Sequence, residues 1–217
     1  MKNLLVAQSG GPTSAINATL AGVVENALSS PSVDRIYGSI NGIQGVLTEN
    51  LIDLKTKITN VSELDLLCQT PASALGSCRV KLKDPAVCAD EYETIISVLR
   101  KYNIDCFIYI GGNDSMDTVD KLSKYLSDKG ITDITVVGAP KTIDNDLCGT
   151  DHCPGFGSAA KYIGTTFAEL ERDCHVYTTK AVTIVEVMGR DAGWLTAASC
   201  LARANGAKGP DFIYLCE

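Results

Sequence analysis

Three apolar runs, each stopping at a polar or glycine-bearing turn, constrain what this chain can fold into. Leu4 to Gln8 runs into Gly10-Gly11-Pro12-Thr13-Ser14, Asp105 to Ile110 into Gly111-Gly112-Asn113-Asp114-Ser115, and Thr135 to Ala139 into Pro140-Lys141-Thr142-Ile143-Asp144-Asn145-Asp146. Arg35 to Ser39, Val182 to Val187 and Phe212 to Cys216 read as three further strands. Helical periodicity predicts helices over Ala15 to Leu28, Asp90 to Tyr102, Met116 to Ser127, Ser158 to Cys174 and Ala192 to Ala202. Apolar strands alternating with helices predict an α/β fold, a doubly wound and mostly parallel sheet covered on both faces. The stretch Asn41 to Asp84, with Gly42, Gly45, Pro71 and Gly76, reads as long loops and short helices leading to Arg79.

In such a sheet, ligands bind beyond the carboxyl ends of the strands, where all three turns fall. The turn Thr142 to Asp146 brings a hydroxyl, two carboxylates and the preceding Lys141 together. Phosphoryl transfer requires those groups: one Asp to accept a hydroxyl proton, another to hold Mg²⁺, and a Lys to neutralise phosphate charge. The alternative is that Asp and Asn here simply build a tight turn. The Gly pairs admit two readings as well. Each leads toward a helix, so backbone N–H groups at two helix N-termini would face one anion, or each is a tight strand-to-helix connection without a ligand. Three such strand ends in one chain favour a shared phosphate pocket.

The net charge of −7 disfavours nucleic acid and anionic membrane as partners, because the long-range field repels polyanions. Phosphate affinity must then come from local Arg, Lys and backbone N–H. Nine Cys with no Cys-x-x-Cys pair, and only His152 and His175 as imidazoles, fit reduced thiols packed as small apolar residues. Met1-Lys2-Asn3 enters a strand at once, and no apolar run reaches membrane-spanning length, so the expected location is the cytoplasm. A length of 217 residues suits one large domain, or one domain plus part of another.

Gly10-Gly11, Leu75-Gly76-Ser77-Cys78-Arg79, Gly111 to Ser115, Pro140 to Asp146, Val187-Met188-Gly189-Arg190 and Glu217 together resemble the phosphofructokinase family, and within it the pyrophosphate-dependent branch. Their order and spacing agree over essentially the whole chain. The resemblance implies a phosphofructokinase-like sheet with part of a second α/β domain. It assigns residues 1–147 to the phosphoryl donor and Mg²⁺, and residues 148–217 to a partial sugar-phosphate-binding domain. Family subunits continue past the point equivalent to Glu217, so the resemblance also implies a truncated chain with weak turnover on its own. Commonly these subunits form dimers or tetramers.

The implied reaction moves a phosphoryl group from pyrophosphate to the 1-hydroxyl of fructose 6-phosphate, reversibly. By resemblance Asp144 is the base, Thr142 contacts the sugar or the transferring phosphoryl, and Arg79 and Lys141 stabilise charge on the phosphates. Gly11, Gly112, Asp114, Ser115 and Lys141 form the donor site. Met188, Gly189, Arg190 and Glu217 join Thr142 and Asp144 on the sugar, and Asp114, Asp146 and Asn113 attend Mg²⁺. Many members carry Asp where this chain has Asn113, and an Arg at or beside Ala181, where Lys180 offers a point charge instead. ATP-using relatives often have Gly at positions 114 and 141. Asp114 would fill the space of a nucleotide's α-phosphate and repel it, which favours pyrophosphate. An ATP-dependent kinase of the same family, and a non-catalytic phosphate-binding module of the same fold, remain the alternative readings.

Overall fold

The computed structural model describes residues 2–216, which divide into two compact units, Met1–Lys141 and Thr142–Glu217. In the first unit, strands β1 (Lys2–Gln8), β2 (Val33–Ser39), β3 (Leu51–Asp53), β4 (Ile104–Gly111) and β5 (Thr135–Pro140) form one sheet in the order β3-β2-β1-β4-β5. All neighbours are parallel except β2 with β3. Helices α1 (Ile16–Ser29), α2 (Gly42–Leu47), α3 (Val61–Gln69), α4 (Ala89–Lys101) and α5 (Asn113–Asp128) connect the strands. The expected parallel α/β sheet is therefore the observed one. Its antiparallel edge, β3, is only three residues long and carries too little pattern to read from sequence.

Alternation along the strands explains the layers. Successive side chains of a strand point to opposite faces. Leu5 and Ala7 of β1, with Phe107 and Tyr109 of β4, join Tyr92, Ile95 and Leu99 of α4 and Leu122 of α5 in one core. Leu4 and Val6, with Ile110, join Ile16, Leu20 and Val24 of α1 in the other. The 4-residue spacing of those α1 positions keeps them on one stripe, and each buried aliphatic side chain contributes about 1.5–3 kcal/mol.

In the second unit, α6 (Phe156–Cys174) buries Ala160, Gly164 and Ala168 on one stripe. A Cβ on Gly164 would lie 2.8 Å from Leu201 Cβ, so the small residues let α6 approach the segment Ala198–Asn205 closely. That segment corrects the helix expected over Ala192 to Ala202. A one-turn α7 (Trp194–Ala197) begins after Gly193 and tightens into a 3₁₀ helix over Ala198–Asn205, which ends at Gly206 with φ 79°. The expected strands Val182 to Val187 and Phe212 to Cys216 need a second correction. Among the described residues neither pairs into a ladder, and Val182 and Ile184 are 89% and 91% exposed. A β-branched run supplies strand propensity, but a strand exists only with a hydrogen-bonded neighbour, which local sequence does not specify. Consequently the described part of this unit contains helices and one isolated bridge, Thr142 to Gly155, instead of the expected α/β arrangement. No helix among the described residues is long and apolar enough to cross a membrane.

Candidate functional site

The sheet order puts β1 between β2 and β4, so the chain winds toward one edge after β1 and toward the other after β3, and the switch point falls between the carboxyl ends of β1 and β4. Gly10, just past β1, has φ 77°. A Cβ there would stand 3.3 Å from Lys141 Nζ and 3.5 Å from the amide nitrogen of Gly112. Three strand ends thus converge on one point, where the left-handed dihedral favours glycine and a Cβ would crowd the Lys141 ammonium. Lys141, just past β5, is 5% exposed. Its backbone N–H bonds Gly111 O at 2.9 Å, and its ammonium donates to Gly11 O at 2.5 Å.

Helix α5 starts directly after Gly112, which caps it without a side-chain bond, earlier than the Met116 start read from the sequence. Asn113, Asp114 and Ser115 therefore occupy its first turn, where partial positive charge favours anions. Asn113 and Asp114 are exposed, whereas Ser115 is 2% exposed and lies against Gly111. The Gly10-Gly11 turn differs, because α1 begins only at Ile16.

The segment leading to Arg79 is stitched to the end of β1. Ser77 Oγ donates to Gly10 O at 2.5 Å, Gly10 N–H bonds Cys78 O at 3.4 Å, and Ser9 Oγ bonds the same carbonyl at 3.1 Å. Gln8, fully buried, anchors the loop one step further back. Its Nε2 donates to Ile16 O and Asn17 Oδ1, and its Oε1 accepts from Ser73 Oγ and the Leu75 N–H. Both amide ends are satisfied, which is what allows a polar group at the centre of a core. Arg79 follows from this framework with its side chain exposed. Beyond it, Lys81 Nζ pairs with Asp114 Oδ1 at 2.8 Å.

Beneath the turn, the Cys78 thiol lies 3.7 Å from Ser9 Oγ and 3.8 Å from Tyr109 Oη. Burial pushes this thiol's pKa up, but hydrogen bonds from the Val80 and Gln44 backbone and the Ser9 and Tyr109 hydroxyls outweigh it, leaving the pKa below its ordinary value. Burial raises the pKa of Tyr109.

In the second unit, the turn Thr142 to Asp146 is built as a tight turn. Asn145 builds the turn: at φ 58° and 8% exposed, it accepts from the Cys153 N–H at 2.8 Å and donates to Asp151 O at 3.1 Å. Thr142 is held as well, its N–H on Pro154 O at 3.0 Å and its Oγ1 accepting the Asp144 N–H at 3.0 Å. Asp144 is half-buried and Asp146 exposed. Further along, Gly189 is buried where a Cβ would meet Ala192 O at 2.3 Å, Arg190 adopts φ 53°, and Met188 is 74% exposed. Glu217 lies outside the described residues.

Within the first unit the structure thus gathers Gly11, Gly112, Ser115 and Lys141, with Asp114 tied to the Arg79 segment through Lys81. Within the second it gathers Thr142, Asp144 and Asp146 on one turn. Among the described residues, no three His, Cys, Asp or Glu side chains cluster as a metal cage. Sequence reasoning did not single out Gln8, Asn17 or Tyr109, although a lone amide ending an apolar strand is a signal for a buried hub.

A family model described as "Phosphofructokinase" matches residues 3–217. The pyrophosphate–fructose 6-phosphate 1-phosphotransferase of Xanthomonas campestris pv. campestris is 45% identical over 217 residues, covering 99% of this chain and 51% of that protein. The ATP-dependent 6-phosphofructokinase of Glaesserella parasuis is 34% identical, covering 93% of this chain and 57% of that protein. The crystal structure of a pyrophosphate-dependent phosphofructokinase from Marinobacter aquaeolei superimposes with a TM-score of 0.81 at 45% identity, over 93% of this chain and 50% of that one. The chain spans about half the length of the pyrophosphate-dependent relatives it matches. With the family model matching nearly every residue of a sheet whose strand ends carry the expected turns, this chain belongs to the phosphofructokinase family.

Proposed function

We propose that this chain forms part of a pyrophosphate-dependent phosphofructokinase, which transfers a phosphoryl group from pyrophosphate to the 1-hydroxyl of fructose 6-phosphate. The observation that carries the reading is the meeting of Gly10, Gly112 and Lys141 at the switch point of the sheet, in a chain 41–45% identical to relatives named for that reaction. Residues 1–147 serve the donor, and residues 148–217 serve the sugar phosphate. The setting is the cytoplasm, and the enzyme works as a dimer or tetramer.

The chemistry follows from the side chains. Asp144 takes the proton of the 1-hydroxyl as its oxygen attacks phosphorus; the P–O bond to the bridging oxygen breaks, and inorganic phosphate leaves. Lys141 and Arg79 balance charge that builds on the phosphoryl oxygens, and the first-turn amides of α5 hold the donor. Thr142 Oγ1 accepts the Asp144 N–H, which orients Asp144, and the same hydroxyl donates its proton in a hydrogen bond to substrate. Met188, Gly189, Arg190 and Glu217 bind the sugar phosphate. Mg²⁺ suits this donor set without a metal cage, because it keeps several waters and takes one or two carboxylates plus phosphate oxygens. Asp114, Asp146 and Asn113 are the residues that would hold it, and when bound it supplies charge neutralisation on the phosphates.

The test is ³¹P NMR of pyrophosphate, fructose 6-phosphate and Mg²⁺ with the longest polypeptide the gene encodes. Matched loss of pyrophosphate and growth of sugar bisphosphate and phosphate signals supports the reading; stable pyrophosphate overturns it.

A further inference from the structure

We propose that Lys81 admits pyrophosphate to the donor site by neutralising Asp114; the inference rests on the donor reading above. Asp114, one of the three residues that would hold Mg²⁺, meets an arriving pyrophosphate with its negative charge whenever the metal is not on it. Its bulk excludes a nucleotide's α-phosphate, but its negative charge repels pyrophosphate as well. The Lys81 ammonium, 2.8 Å from Asp114 Oδ1, offsets that charge and leaves the bulk in place.

The local structure holds Lys81 where it can do this. Upstream, the Cys78 carbonyl is fixed by Ser9 Oγ and the Gly10 N–H. Downstream, Leu82 is 1% exposed in the core, and its carbonyl accepts from Lys121 Nζ at 3.2 Å. Lys121 is itself paired with Asp117, one turn back on α5, at 2.7 Å. The segment therefore lies along α5, tied to it at Asp114 and again at Lys121, two turns further on. Lys81 and Asp114 side chains are 65% and 56% exposed, and a pair that exposed adds little to fold stability. Its contribution is to the charge met by an arriving anion.

The experiment is a double-mutant cycle on the longest polypeptide the gene encodes, measuring kcat and KM for pyrophosphate. Lys81→Met keeps the apolar stem, and Asp114→Asn keeps the bulk of Asp114 without its charge. Lys81→Met alone is expected to raise KM for pyrophosphate about tenfold at low salt with kcat nearly unchanged, less so at high salt. In the Asp114→Asn background the same change is expected to alter KM less than about twofold, and Lys81→Arg is expected to retain the parent KM. An equal rise in both backgrounds overturns the proposal, because Lys81 then acts on the donor directly. No rise in either, from a protein that turns over pyrophosphate, overturns it while sparing the donor reading. Absence of pyrophosphate turnover in the unsubstituted protein instead removes the donor reading, and this inference with it.

Discussion

The Lys141 ammonium donates to the carbonyl oxygen of Gly11, a residue 130 positions earlier in the chain. This bond joins the end of β5 to the turn after β1 across the intervening β4, and it aims a buried cation at the switch point. Replacing Lys141 by Met should lower pyrophosphate-dependent transfer by about 10²- to 10³-fold, the usual consequence of removing one group that stabilises charge in the transition state. Steady-state kinetics with far-ultraviolet circular dichroism as a control would check it. A variant that keeps full activity would remove Lys141 from the donor site.

Gly10→Ala adds a methyl group at φ 77°, 3.3 Å from Lys141 Nζ. The left-handed conformation alone costs about 1–2 kcal/mol for a residue with a Cβ. Thermal unfolding should show a lowered midpoint, and donor KM should rise because the methyl displaces the ammonium. Gly22→Ala, inside α1 where a Cβ meets nothing within 4 Å, is the control and should leave donor KM unchanged while raising the midpoint, since Ala is the better helix former by about 1 kcal/mol.

Adjacent residues of the Thr142 to Asp146 turn should separate chemistry from folding. Asp144→Asn is expected to reduce transfer by about 10²- to 10⁴-fold with little change in stability. Asn145→Ala leaves the Cys153 N–H without its acceptor and should cost about 1–3 kcal/mol in denaturant unfolding. Equal losses of stability in the two variants would contradict this division of roles.

That division also indicates what the sequence made legible. Strands β1, β4 and β5 stood out as apolar runs that stop at polar or glycine-bearing turns, and β2 reads over Arg35 to Ser39. The positions of Gly112 and Lys141 followed from those strand ends. Pairing did not: Val182 to Val187 carries the same β-branched signal as β4, yet has no ladder partner among the described residues. Asn145 and Asp144 look alike in a sequence, and only the loop 151–155 reveals which one builds the turn. Gln8 was hidden for a similar reason, since its four partners lie in two separate segments.

Gln8→Met tests that hub. The substitution preserves volume but strands the Leu75 N–H, while Asn17 Oδ1 keeps the Ala74 N–H, so unfolding stability should fall by about 1–3 kcal/mol. Retained stability would mean that the loop carrying Arg79 is held elsewhere.

Alkaline unfolding should report on Tyr92. Burial, followed by the charge of Asp84, pushes its pKa up to about 12 from an ordinary 10.0, and its hydroxyl donates to Lys83 O at 2.7 Å. A raised pKa in the folded state means that the folded protein binds this proton more tightly than the unfolded chain. The associated stability is therefore complete below pH 10 and lost as pH rises toward 12. Tyr92→Phe should flatten the fall in stability across that window; an unchanged slope would assign it to other groups.

The central claim concerns the donor. A coupled assay with fructose 6-phosphate and Mg²⁺ should compare kcat/KM for pyrophosphate and for ATP, on this chain and on the longest polypeptide its gene encodes. Turnover with pyrophosphate and little or none with ATP is the predicted result. Turnover with ATP alone, or with neither donor, on the longest polypeptide would contradict it, whereas weak turnover by this chain on its own is expected.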